Sequence, residues 1–221
     1  SVNFNVFRLF AQQWTEVQYP QESQYDLTGR KIPDTHWRVY YRDVLRDLKE
    51  SKDQLVASKS TFVGTPEQAI ELDNKIAVID ILTAYSYGIL VDTFGDVPYT
   101  EANLRSVNIT PKYDDAQTIY KAVIDDLTSA AKTALNLPAN AENPGTQDII
   151  NGGDMTEWAK FANTVKLRML VRLSNTNQDA YIKAQIALID ANGAGYITSD
   201  VSANPGYSDN TDKQSPFFGY F

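Results

Sequence analysis

His36 is the only histidine in the chain, so any imidazole acid–base chemistry would have to run through it. A Ser–His–Asp arrangement would also need its serine on a sharp elbow, and no GxSxG phrase is present. His36 is better read as standing near a helix N-terminus in a structural or contact role. There is no HExxH motif and no histidine pair, so a catalytic zinc site lacks ligands. Cysteine is absent, which removes thiolate nucleophiles, zinc-thiolate sites and disulfides together. Carboxylates are plentiful, and a glycosidase-like acid/base pair stays open as an alternative. The best placed of them, Asp114, Asp154 and Glu157, already read as helix caps. SDNTDK, residues 208–213, offers calcium-compatible oxygens but lacks the glycine and distal glutamate of an EF-hand loop, and reads as a solvated loop. NGAGYI, residues 192–197, follows a helix rather than a strand, so its glycines end that helix and cradle no phosphate. Asn108 opens a glycosylation sequon too short to carry an argument. The residues imply a non-catalytic protein with no cofactor and no metal.

The elements that would position these residues are helical. A net charge of −8 with no Lys/Arg block argues against nucleic acid and against docking on anionic lipid. A hydrophobic fraction of 43% beside 22% charged residues implies a folded domain with a real core. SVNFNVFRLF lacks the layout of a signal peptide. Phe4, Phe7, Phe10, Ala11 and Trp14 recur at helical spacing and predict a first helix over residues 3–17. A proline-punctuated loop separates it from a second helix starting near Asp34 or Thr35. That helix carries its apolar face on Trp37, Tyr40, Tyr41, Val44, Leu45 and Leu48.

Thr65, Pro66 and Gln68 form a capping box with proline at the first helical position, and open a third helix predicted to run from 66 to 94. Its run IAVIDILTAYSYGILV, residues 76–91, is shorter than the about 20 residues a membrane span needs, and Asp80 sits in its middle. It reads as a core helix, with Ile79, Leu82, Ile89 and Leu90 inaccessible. Further helices start at Asp114, after Asp154 and around Asp179, the last ending at Asn192–Gly193. No stretch alternates convincingly as a strand would. The fold class is all-α: helix pairs stacked in tetratricopeptide fashion over residues 1–191, with starts at 114 and 154 about one repeat apart. An irregular segment follows over 192–221.

Two phrases are more particular than helix packing requires. DTFGDVPYTEA, residues 92–102, ends the long apolar helix, and WAKFANTVKLRMLVRLS, residues 158–174, fills a later one. Phe94, Gly95, Asp96, Pro98 and Tyr99 in the first, and Trp158, Lys160, Ala162, Asn163, Lys166, Arg168, Arg172 and Ser174 in the second, resemble the SusD/RagB family of outer-membrane nutrient-binding lipoproteins from Bacteroidetes. FRLFAQQWTEVQYP is also similar to that family's first helix. Physics gives both phrases scaffold roles. Gly95 and Pro98 stop the helix, Asp96 accepts backbone N–H groups in the turn, and Tyr99 packs back over the helix end. Arg168 and Arg172 share a helix face at i,i+4, suited to carboxylates or loop carbonyls.

The resemblance implies the rest. Proteins of this kind capture oligosaccharides or other nutrients at the cell surface and act with a SusC-like TonB-dependent transporter. They are held at the outer membrane by lipid. No lipobox cysteine is present, so the chain begins after a processed N-terminus or lacks the anchor. Family members are longer, and the apolar ending SPFFGYF suggests an incomplete chain with part of the ligand region absent. A sugar ligand favours exposed aromatic faces on loops. The candidates are Tyr19, Tyr25, His36, Trp37 and Tyr207. Trp37 also continues a core face with Tyr41 and Val44, and Trp14 and Trp158 read as core. A helical-repeat adaptor that binds proteins is the competing reading.

Overall fold

The computed structural model describes residues 6–29, 31–104, 107–137 and 142–215. The chain divides into two compact units, residues 1–43 with 205–221, and residues 44–204. Among the described residues the architecture is all-α, and the sole β-type pairing is an isolated antiparallel bridge between Val97 and Asp114.

The first unit holds the short helix α1 (Val6–Phe10), a 3-10 turn (Glu22–Gln24) and helix α2 (Ile32–Arg38). The long first helix expected over residues 3–17 is not formed within the described residues; Phe4 lies outside them. Gln12 adopts a left-handed φ of 57°, which ends the helix just past Phe10. With so short a helix the apolar stripe rotates. Val6 and Leu9 turn inward, while Phe7 and Trp14 are 62% and 44% exposed. Trp14 is therefore not core; its ring instead lies beneath the Arg8 guanidinium, 4.8 Å from the centroid. Helix α2 begins at Ile32, slightly before the expected Asp34, because Pro33 fits the first turn. A π-helical turn (Val39–Leu45) then leads to the second unit.

The second unit comprises α3 (Arg46–Ser60), α4 (Pro66–Phe94), α5 (Ala116–Leu135), α6 (Met155–Arg172) and α7 (Asp179–Asn192). Helix α3 packs on α4, α4 on α5, α5 on α6, and α7 against both α5 and α6. The short 61–65 turn makes α3 and α4 antiparallel, and ion pairs Lys52–Asp80 and Lys59–Asp73 tie them in that sense. The Thr65–Gln68 capping box forms as predicted. Helix α5 turns Ile119, Val123, Ile124, Leu127 and Ala131 fully inward. Its N-cap is Asp115, which accepts from Thr118 N, and not Asp114. Asp154 caps α6 as expected, whereas Glu157 pairs with Lys160. Helix α7 ends on Gly193, whose φ of 73° is the left-handed conformation glycine adopts without strain.

Helix α4 is long and apolar enough to cross a membrane by composition alone, yet it is packed from three sides and Asp80 is ion-paired with Lys52. It behaves as a core helix with one correction. Leu90 is fully buried, but Ile79, Leu82 and Ile89 are only half-buried. Ile79 and Leu82 face an open groove of about 420 Å³ bordered by Leu55 and Ile150. The helix reads as apolar all round, but its most deeply buried apolar positions are Ala77, Ile81, Ala84 and Leu90. Leu90→Ala is accordingly expected to destabilise by about 2–5 kcal/mol and Leu82→Ala by clearly less, as measured by urea unfolding with unchanged slope.

Candidate ligand-binding surface

The two sequence phrases build a scaffold. Gly95 takes φ 77° and ψ −124°, ending α4, and Val97 behind it is completely buried. Asp96 accepts from Ala116 N, the first amide of α5, rather than from its own turn. Asp114 does the local work expected of Asp96, accepting from Tyr99 N, Thr100 N and the Thr100 hydroxyl. Although burial raises the Asp114 pKa, these bonds and Lys112 outweigh it and hold the carboxyl below its ordinary value. Tyr99 packs edge to face on Tyr87, with centroids 4.8 Å apart.

The second phrase locks α6 to its neighbours. Asn163 and Asn192 exchange amide hydrogen bonds of 3.0 and 2.8 Å, and Asn163 also donates to Gly195 O. Lys166 is buried and donates to Thr128 Oγ1 at 2.7 Å. Arg172 pairs at 2.7 Å with Asp92, which also accepts from the Tyr120 hydroxyl, so the ends of α4, α5 and α6 share one carboxylate. Arg168 is exposed and makes no hydrogen bond or ion pair among the described residues.

The aromatic candidates lie in the first unit, and a row of rings links two of them. Tyr25 stacks on Phe10 at 6.3 Å and 19°, Phe10 meets Phe7 edge to face, Phe7 meets His36, and His36 meets Tyr40 at 4.9 Å. Trp37 is half-buried and tilts against Tyr41 at 4.7 Å, so it braces α2 and the turn that follows. Tyr25 is 61% exposed and adopts φ 61°. Next to it, Asp26 accepts from the Thr28 hydroxyl and amide and from Gly29 N, which fixes the loop and lowers its pKa. Burial lowers the His36 pKa, which favours the neutral ring. Tyr19 and Tyr207 are exposed at 67% and 48%, and Tyr207 joins no ring contact among the described residues. The sequence missed Phe7, Phe10 and Tyr40 as members of this row because helical spacing assigned them to core stripes. No group of three or more metal-ligating side chains occurs among the described residues. SDNTDK closes on itself, with Ser208 N donating to Lys213 O and Asp212 N to Asn210 Oδ1.

The row of rings in the first unit is exposed at Tyr25 and Phe7 and half-buried at Phe10 and His36. The SusD-like family, described as starch-binding and associating with the outer membrane, matches residues 1–213. The chain belongs to the SusD-like family. Among solved structures it is similar to a chitin-binding protein, with TM-score 0.66 and 26% identity over 87% of this chain and 38% of that one. A SusD-like protein of Bacteroidetes gives TM-score 0.63 and 26% identity, covering 88% of this chain and 34% of that one. A chitin-binding SusD homolog from Flavobacterium johnsoniae gives 0.60 and 22%, covering 73% and 31%, and at that identity supports the fold alone. This SusD-like chain thus spans well under half the length of each of these relatives. Comparison with curated proteins finds no match.

Proposed function

We propose that this chain is the helical part of a non-catalytic cell-surface protein that binds oligosaccharides, held at the outer membrane by lipid and working with a SusC-like TonB-dependent transporter. The observation that carries the reading is the aromatic row Tyr25–Phe10–Phe7–His36, exposed at Tyr25 and Phe7, in a chain whose family is described as starch-binding. Aromatic faces bind sugar C–H groups, and a loop fixed by Asp26 presents Tyr25 without an ordering cost at binding. His36, with its pKa lowered by burial, meets Phe7 edge to face, which supports a packing role in the row.

Starch and chitin oligosaccharides are the probes. In affinity electrophoresis and calorimetry, Tyr25→Ala is expected to weaken binding by up to about tenfold, since an aromatic contact contributes about 0.5–1.5 kcal/mol beyond its buried area. Hydrolysis of the oligosaccharide, lost on changing one Asp or Glu, would replace this reading with an enzyme. Membrane attachment and the transporter are tested by isolating the full-length protein from native membranes in mild detergent. Its recovery alone from a soluble fraction, even after crosslinking, would favour the helical adaptor.

A further inference from the structure

In the second unit, α3, α4, α5 and the turn after the FGDVPY phrase enclose a cleft of about 430 Å³ that none of the preceding roles uses. Leu45 and Leu48 form its apolar side. Tyr99 presents a half-buried ring there, held edge to face by the buried Tyr87. The Tyr99 hydroxyl donates to Asp126 Oδ2 at a long 3.3 Å, and Asp126 makes no other hydrogen bond among the described residues, so most of its acceptor capacity is unspent. Burial, and then the charge of Asp80, push the Asp126 pKa up, which places the two carboxylates in one another's field.

The chemistry of these groups selects the ligand. Lys52 donates to Asp80 at 2.6 Å and its charge also acts on Asp126, so the cation position between the carboxylates is already filled. A cationic ligand would have to displace it. What remains is acceptor capacity at Asp126, a threonine hydroxyl at Thr83, and the side-chain amide of Asn103, for which no hydrogen bond occurs among the described residues. Asn103 is held at φ 56° on the turn, which aims a short amide side chain at little conformational cost. An aromatic face, planar carboxylate and amide groups and an apolar wall together suit a hydroxylated ring.

We propose that this cleft is a saccharide subsite for a neutral pyranose, with Tyr99 against the sugar's C–H face and Asp126 and Asn103 on its hydroxyls. The choice of saccharide rests on the function proposed above, whereas the residues are independent of the aromatic row in the first unit. The test is a two-dimensional amide NMR titration of the chain with glucose, N-acetylglucosamine and, as the charged control, glucosamine. Saturable shifts are expected at residues 99–104 and at the α3 and α4 amides around 52 and 83 with at least one neutral sugar. Asp126→Asn, which removes the charge at nearly unchanged volume, and Asn103→Gly, which keeps the positive φ, are each expected to weaken those shifts by about tenfold or more. Tyr25→Ala should leave them unchanged, while reducing any binding at the first unit. Absence of saturable shifts at the cleft with both neutral sugars overturns the subsite, even where the first unit responds. Preference for glucosamine that salt abolishes overturns it in favour of a cation site.

Discussion

Replacing Lys166 by methionine is expected to stabilise the protein at pH 7. Lys166 is 2% exposed, and its burial lowers the ammonium pKa from the ordinary 10.5 to about 8, with Asp125 pulling weakly the other way. A lysine whose folded pKa is depressed binds fewer protons folded than unfolded between those two values. Stability of the native protein therefore rises with pH from about 8 to about 10.5, and below about 8 the folded state carries the full penalty. At 1.36 kcal/mol per pKa unit, that penalty is about 3 kcal/mol. Methionine fills similar volume without the charge. Thr128 keeps a partner, because its hydroxyl also donates to Ile124 O. Asp125 is solvent-exposed and tolerates the loss. Chemical unfolding of both proteins from pH 7 to 10.5 should show the variant ahead by up to about 3 kcal/mol at pH 7 and the gap closing as pH rises. A variant less stable at pH 7, with the native slope unchanged, would show that the Lys166–Thr128–Asp125 contacts outweigh the burial.

Lys166 also shows where a sequence stops being legible. Its motif is readable, and so is its helix, because α5 and α6 each have one continuous apolar stripe and an aspartate cap. That a charged residue within the motif turns inward depends on which face of α6 meets α5, which periodicity leaves open. Helix α4 fails in the opposite way. Being apolar nearly all round, it gives no face to choose, so Ile79 and Leu82 read as buried although they border a groove. In the first unit the spacing of Phe7, Phe10 and Trp14 implied a long helix. A single left-handed residue, Gln12, ended it, and that is a backbone event no hydrophobic pattern encodes. The candidate site was legible as residue types and not as an assembly. Tyr25 and His36 were named, but the rings that connect them, Phe7 and Phe10, had been assigned to the core. Asp96 and Asp114 exchanged the roles expected of them, because both lie near the start of α5 and only the fold decides which carboxylate caps at a distance.

Trp158→Ala is expected to be the most damaging single change in the second unit. The indole is 1% exposed and packs edge to face on Phe161, and its Nε1 donates to Asp148 Oδ2 at 2.6 Å. Asp148 is the hub of the loop that precedes α6, for its two oxygens also accept from Ile150 N, Asn151 N and Gly153 N. Burial raises the Asp148 pKa, but the Trp158 bond and the three amides outweigh it and leave the carboxyl below its ordinary value. Removing the ring thus takes away core packing worth about 3–5 kcal/mol and, with it, one of four donors that hold a partly buried carboxylate ionised. Trp158→Phe separates the two effects. It retains much of the apolar contact and loses the N–H, so it is expected to cost about 1–3 kcal/mol through the polar defect and the smaller ring. The two variants also differ from wild type in their acid limb. With a donor missing, the Asp148 pKa moves back up, so the stability it confers is lost at higher pH as acid is added. Equal losses for Trp158→Phe and Trp158→Ala would assign the effect to the Asp148 bond, and a negligible loss for Trp158→Phe would assign it to packing alone.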